Sequence, residues 1–167
     1  MNIEVAQFGS RCKFLVKVET HASEESGLIL CRLNYVIEDQ EVGGDEWFEV
    51  EDVLQAARWV RHYAGKRQSK NLYDTPTASL FTQVVSVLYG ETEPDERSDD
   101  FTEVSRFNLW FHHSLGSAVI LLFAWKANGR ILFAQGRDEQ PRELFCNISN
   151  VESSIESAME RLDSLVK

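Results

Sequence analysis

Residues 118–135, AVILLFAWKANGRILFAQ, decide how the rest of the chain must be arranged. Residues 118–125 are apolar without interruption, as in a central strand covered on both faces, and eight residues suit a strand where a membrane helix needs about 20. Asn128-Gly129 separates this run from a second one at 131–135, and Asn-Gly supplies the positive φ angles of a type I′ turn. The spacing predicts an antiparallel hairpin with Gly129 at positive φ. Ahead of it Phe107, Leu109 and Phe111 alternate, and after it residues 143–148 read as one more short strand. Ser149 and Glu152 have capping-box spacing, and Val151, Ile155, Ala158, Leu162 and Leu165 mark one face of a closing helix.

Toward the N-terminus, Cys12, Phe14, Val16 and Val18 alternate with Lys13, Lys17 and Glu19. After a polar loop at 21–27, which includes His21, Ile29, Cys31, Leu33, Tyr35 and Ile37 alternate with Arg32 and Asn34, and Gly43 and Gly44 are expected to close this strand. Two helices follow. The first has Val53, Ala56, Ala57, Val60 and Ala64 at helical spacing, with Glu51 and Asp52 at its start and Arg58, Arg61, Lys66 and Arg67 toward or past its end, an order that suits the helix dipole. In the second, Thr75 supplies a cap and Pro76 a first-turn proline, Leu80, Phe81, Val84, Val87 and Leu88 form the apolar stripe, and Gly90 is placed to end it. Residues 91–103, with seven acids, one Arg and Pro94, are expected to form a flexible polar loop. The order ββααββββα predicts an α+β fold, an antiparallel or mixed sheet of about six strands packed by three helices, in a single domain over residues 1–167.

Composition narrows the function. The 167 residues are 43% apolar and 26% charged, the profile of an ordinary soluble domain. Cys12, Cys31 and Cys146 outline neither a disulfide framework nor a metal motif, which suits a reducing cytoplasm, and no basic-then-apolar signal segment opens the chain. A formal charge of -10 argues against nucleic acid as a direct ligand and for a basic partner. His112 and His113, adjacent on a strand, would point to opposite faces, while His21 and His62 have no ligand partner at i+3 or i+4. Nucleophile elbows, phosphate-cradling glycine loops and paired-cysteine zinc sites are missing from the sequence, so no catalytic, cofactor or metal residue is assigned. The cluster Arg58, Arg61, Lys66, Arg67 and Lys70 reads as local neutralisation of the acids before it rather than as a phosphate contact.

Those acids are the anomaly. Residues 38–52 hold eight carboxylates and no basic residue, and together with 91–103 they carry -14 in 28 positions while the other 139 sum to +4. Like charges packed so closely cost stability unless something cationic arrives. Trp47 and Phe48 lie among the first group, and aromatics flanked by carboxylates have the composition of an interface anchor. Asp45, Glu46, Trp47, Phe48, Glu49, Glu51 and Asp52 are therefore the candidate partner-binding residues. The competing reading turns Trp47 into the core at the start of a helix and leaves the acids solvated.

The N-terminal strand pair, the acidic turn Gln40-Glu41-Val42-Gly43-Gly44-Asp45, the two amphipathic helices, the strand start Phe107-Asn108-Leu109 and the hydrophobic hairpin together resemble the immunity proteins of bacterial polymorphic toxin systems, in particular the immunity protein 42 family. The likeness runs from about Val16 to the final helix. It departs in the acidity of the turn and at Phe111, His112 and His113, where a tryptophan-bearing segment is expected. The resemblance implies a small cytoplasmic α+β protein, encoded beside a contact-delivered toxin, that binds the toxin's C-terminal domain and does no chemistry. Many such toxins are nucleases with basic surfaces, for which a carboxylate-lined inhibitor would imitate phosphate. Two rivals stay open: a small hydrolase pairing a carboxylate with His112 or His113, and a sensor domain holding a small molecule or peptide in a closed apolar cavity.

Overall fold

The computed structural model describes residues 2–10, 13–90, 94–109 and 117–166, with only the backbone at 94–99. Cys12, Phe111 and the His112-His113 pair lie outside the described residues. The elements follow in the order β1 (Glu4–Gly9), β2 (Phe14–Ala22), β3 (Ile29–Ile37), β4 (Gln40–Val42), β5 (Phe48–Glu49), α1 (Val50–His62), α2 (Lys70–Tyr73), α3 (Thr77–Tyr89), α4 (Pro94–Ser105), β6 (Val119–Trp125), β7 (Asn128–Ala134), β8 (Arg142–Asn147) and α5 (Ile148–Leu165).

The α+β class holds, but the single sheet of about six strands with three helices is replaced by two antiparallel sheets and, among the described residues, five helices. The first sheet runs β1-β2-β3-β4, with β5 also paired to β3; the second runs β6-β7-β8. Burial explains the division. The inner face of the first sheet (Val16, Val18, Leu33, Tyr35) shares a core with α1, α5 and one face of the second sheet (Ile120, Leu122, Ile131, Phe133). The opposite face of the second sheet (Val119, Leu121, Phe123, Leu132) is covered by Leu80, Phe81, Val84 and Leu88 of α3. A strand run buried on both sides thus serves two cores.

Several local expectations shift. The hairpin at 118–135 exists, but its two-residue turn is Lys126-Ala127, with Lys126 at φ 55°, and Asn128-Gly129 is already strand, paired with Trp125 and Ala124. Placing the turn at Asn128-Gly129 would set Leu122 opposite Gln135 and Ile120 opposite Arg137. The observed register instead matches Leu121 to Leu132 and Ile120 to Phe133, so apolar pairing overrides the turn signal. Gly129 is not at positive φ as expected; space demands it, since a Cβ there would lie 2.9 Å from Cys146 Sγ. The second strand reverses at Glu38 and Asp39 (φ 50° and 65°), joining Ile37 to Gln40, and not at Gly43-Gly44. His21 belongs to β2 rather than a loop, and β1 extends the sheet at an edge. Most of the segment expected to be a loop at 91–103 is helix α4, begun by Pro94 at a position where its missing N–H costs nothing. The closing helix is capped by Asn147, whose Oδ1 accepts from Ser149 N, while Glu152 accepts from Gly65 N at 2.9 Å. Burial pushes the Cys31 thiol up to about 12 and that of Cys146 to about 11, so both stay protonated and inert.

Candidate functional site

The acidic segment is fastened to the outer face of the first sheet. Asn34, buried on β3, donates from Nδ2 to Glu41 Oε1 (2.8 Å) and to the Gly44 carbonyl (3.1 Å), and its Oδ1 accepts from Gly44 N (3.2 Å). A Cβ on Gly43 would sit 2.0 Å from that same Oδ1, which is why the chain needs glycine there. The strand pairing sets Lys17 of β2 opposite Asn34 and Glu19 of β2 opposite Arg32 of β3. Lys17 Nζ reaches Glu41 at 3.0 Å and Glu19 at 3.2 Å; Arg32 grips the buried Glu19 through Nε (2.7 Å) and Nη2 (2.6 Å) and lies 3.8 Å from Asp45. Burial would push the Glu41 carboxyl up, but the Asn34 hydrogen bond and Lys17 outweigh it and hold it below its ordinary value.

Of the two aromatics, Phe48 opens β5 opposite Cys31 and packs against the core. Trp47 stays half-buried at the rim, its ring edge-on to His21 (4.5 Å) and beneath the Arg32 guanidinium (5.0 Å). Neither residue starts a helix; Glu49 is the N-cap of α1 and Glu51 and Asp52 fill its first turn, where the dipole favours acids.

The charge at 38–52 is partly answered from within the chain. Glu38 meets Arg142 at 3.1 Å, Glu41 meets Lys17, and Asp45 approaches Arg32. The exposed Glu46, Glu49, Glu51 and Asp52 make no ion pair among the described residues. Three members of the basic cluster, in contrast, find their partners away from this segment. Arg61 pairs with Glu156 (2.6 Å), Lys70 with Asp74 (2.5 Å), and Arg67, 1% exposed, donates to the carbonyls of Arg106 (2.7 Å) and Val60 (2.8 Å) with Glu152 3.6 Å away. For Arg61, Arg67 and Lys70 the expectation that the cluster neutralises the preceding acids is corrected: their partners lie on α5, at residue 74 and on backbone. Sequence reading missed Asn34, Lys17 and Arg32 as the supports of the acidic segment. The alternation that placed Arg32 and Asn34 on the outer face was the available signal, but their partners are fixed by strand register.

Among the described residues, no three His, Cys, Asp or Glu side chains are grouped to hold a metal ion, and no helix is long and apolar enough to cross a membrane. No curated protein is similar to the chain in sequence. Its fold is similar to the crystal structure of CdiI from Burkholderia dolosa AUO158, with a TM-score of 0.70 at 11% identity, covering 93% of this chain and 99% of that one. The sequence pattern of immunity protein 42 matches residues 3–161, nearly the whole of both sheets and all five helices. By that match the chain belongs to the immunity protein 42 family.

Proposed function

We propose that this protein neutralises a cognate toxin domain by binding it one to one in the cytoplasm, with the segment Asp45, Glu46, Trp47, Phe48, Glu49, Glu51 and Asp52 as the encounter surface. It performs no chemistry of its own. Family membership supports the role, and the exposed carboxylates of Glu46, Glu49, Glu51 and Asp52, which form no ion pair among the described residues, support the surface. A chain that can recruit Lys17, Arg32 and Arg142 to three of its eight clustered acids leaves these four facing outward, where they attract a basic partner. A nuclease fits that chemistry, because its phosphate-binding surface is cationic and is blocked by carboxylates standing where phosphates would. Trp47, half-buried and held by His21 and Arg32, adjoins them in sequence, and Phe48 packs the segment against the core.

The test is binding kinetics between the protein and the C-terminal domain of the toxin encoded beside it, at several salt concentrations. Glu46→Lys with Glu49→Lys is expected to slow association by about tenfold or more at low salt and to flatten its salt dependence, because steering by exposed charge fades beyond about 8 Å at physiological ionic strength. Unchanged association at every salt concentration would remove the segment from the interface. Failure of the wild-type protein to form a one-to-one complex would remove the immunity role.

A further inference from the structure

The borders of the two sheets are not alike. In the second sheet β6 is bonded along its outer side by neighbouring chain: Ala124 N donates to the Arg67 carbonyl (2.9 Å), Leu122 N to that of Phe107 (2.8 Å), and Leu109 N to that of Ile120 (2.9 Å). Strand β8 carries Arg142 and Glu143, and β4 carries Glu41, charges of the kind that keep other strands from adding to an edge. Strand β1, at the border of the first sheet, has no such protection. Its sequence, EVAQFG, contains no lysine, arginine or proline, and its register against β2 runs unbroken from Glu4↔Thr20 to Gly9↔Leu15, so no bulge turns it aside. Its single charge, Glu4, is neutralised by Arg161 of α5 at 3.0 Å. Val5 is 54% exposed.

The ladder shows which backbone groups this edge offers. Ser10 N donates to the Phe14 carbonyl (2.9 Å), and antiparallel strands exchange hydrogen bonds at every second pair, so Glu4, Ala6 and Phe8 bond to β2 while Val5 and Gln7 turn their N–H and C=O outward. The far side of β2 agrees: Glu38 N donates to the Lys13 carbonyl (2.8 Å), which commits the odd-numbered residues of β2 to β3 and the even-numbered ones to β1. Among the described residues no hydrogen bond reaches the outward groups of Val5 and Gln7. Another extended backbone is their complement.

Charge and symmetry select the strand that fits. Strands β2 and β3 separate β1 from β4, roughly 14 Å at about 4.8 Å per strand, which exceeds the screening length of about 8 Å at physiological salt. A basic partner is therefore drawn to the acidic side of the sheet, whereas a second copy of this acidic chain meets little repulsion at β1. Facing residues of an antiparallel pair share a sheet face, so a two-fold axis through Ala6 or Gln7 keeps the inner faces of both copies together. Through Ala6 it sets Val5 opposite Gln7 and Glu4 opposite Phe8 of the second copy; through Gln7 it sets Val5 opposite Gly9 and Glu4 opposite Ser10. Glu4 meets its own counterpart in neither.

We propose that β1 is a dimer edge: two copies of the chain pair β1 with β1, antiparallel about a two-fold axis, and merge their first sheets into one. Residues 38–52 stay open on the far side of each copy, so the dimer does not depend on the toxin-facing role given to them above.

The test is sedimentation velocity of the full chain across a concentration series, with circular dichroism as the folding control. The wild type is expected to dimerise. Val5→Lys places a charge on the edge, and Gln7→Pro removes an outward N–H without touching a bond to β2, so each is expected to raise the dimer dissociation constant by about tenfold or more. A wild-type protein still monomeric at about 100 μM would overturn the proposal. So would a dimer that both folded variants leave unchanged, because its contact would lie elsewhere. Should neither variant fold, amide exchange of the wild type decides: Val5 and Gln7 amides are expected to be protected in the dimer and to lose protection on dilution, and open amides in the dimer would overturn the assignment. Protection that appears only when the C-terminal domain of the adjacently encoded toxin is added to a monomer would give the edge to the toxin and overturn it as well.

Discussion

At the scale of single residues, Asn34 does most to shape the candidate surface. It is buried, its amide makes three hydrogen bonds to the turn that carries the acids, and Gly43 leaves room for it. Asn34→Ala leaves Gly44 N–H and a carbonyl without their partner, so a loss of about 1–3 kcal/mol is expected by chemical denaturation, with faster hydrogen exchange at the Gly44 amide. Retained protection at Gly44 would show that the turn holds itself. The same neighbourhood sets an acid limit. Burial would raise the Glu41 and Glu143 carboxyls, but hydrogen bonds from Asn34 and Thr77 and the cations Lys17 and Arg130 hold both below the ordinary 4.5. A carboxyl depressed on folding adds stability that is fully present above its unfolded pKa and is lost as pH falls through the lower folded one. Stability should therefore hold down to about pH 4.5 and decline below it, and Glu143→Gln should shallow that decline in urea titrations across pH. The acids themselves were legible in the sequence. Their partners were not, because Lys17, Arg32 and Arg142 reach residues 38–45 through register and tertiary packing that no local spacing encodes.

At the scale of elements, periodicity was a better guide than punctuation. The stripes of α1, α3 and α5 read directly, and their buried residues are largely those at the predicted spacing: Val53, Ala57 and Val60, then Leu80, Phe81, Val84 and Leu88, then Val151, Ile155, Ala158 and Leu162. Turn and cap signals failed where a neighbour outbid them. Asn128-Gly129 lost the turn to Lys126-Ala127 because that register aligns two apolar runs, and Ser149 lost the cap to Asn147 two residues earlier. Gly129 then has a different reason to be glycine, which a double-mutant cycle can isolate. Gly129→Ala should destabilise because its Cβ meets Cys146 Sγ at 2.9 Å, while the other neighbours, at 3.5 Å, are in ordinary contact. In a Cys146→Ala background most of that cost should vanish, giving a coupling of about 1 kcal/mol by thermal or urea unfolding. Additive losses would mean that Gly129 is required for its backbone rather than for space.

At the scale of the whole molecule, two sheets and two cores must be held to one another, and Arg67 lies where they meet. Its guanidinium closes the C-terminal end of α1 at the Val60 carbonyl, takes the carbonyl of Arg106 ahead of the 107–109 stretch, and faces Glu152 of α5. Its own carbonyl accepts from Ala124 N of β6. In the sequence Arg67 is one of five cations in thirteen residues and indistinguishable from Arg61, because a run of basic residues carries no mark of which member the fold will bury. The energetics separate them. Burial pulls the Arg67 pKa down, with Glu152 opposing, yet the group has enough acceptors to remain charged. Arg67→Met removes both hydrogen bonds, leaving the Arg106 carbonyl without this partner and the Val60 carbonyl with only Tyr63 N, for an expected loss of about 3 kcal/mol or more and a melting temperature lower by roughly 10 °C. Arg61→Met breaks only a half-exposed pair with Glu156, for which less than about 1 kcal/mol is expected. Equal losses from the two, measured by urea unfolding with unchanged m-values, would show that Arg67 does not bind the two halves together and that packing between the cores suffices.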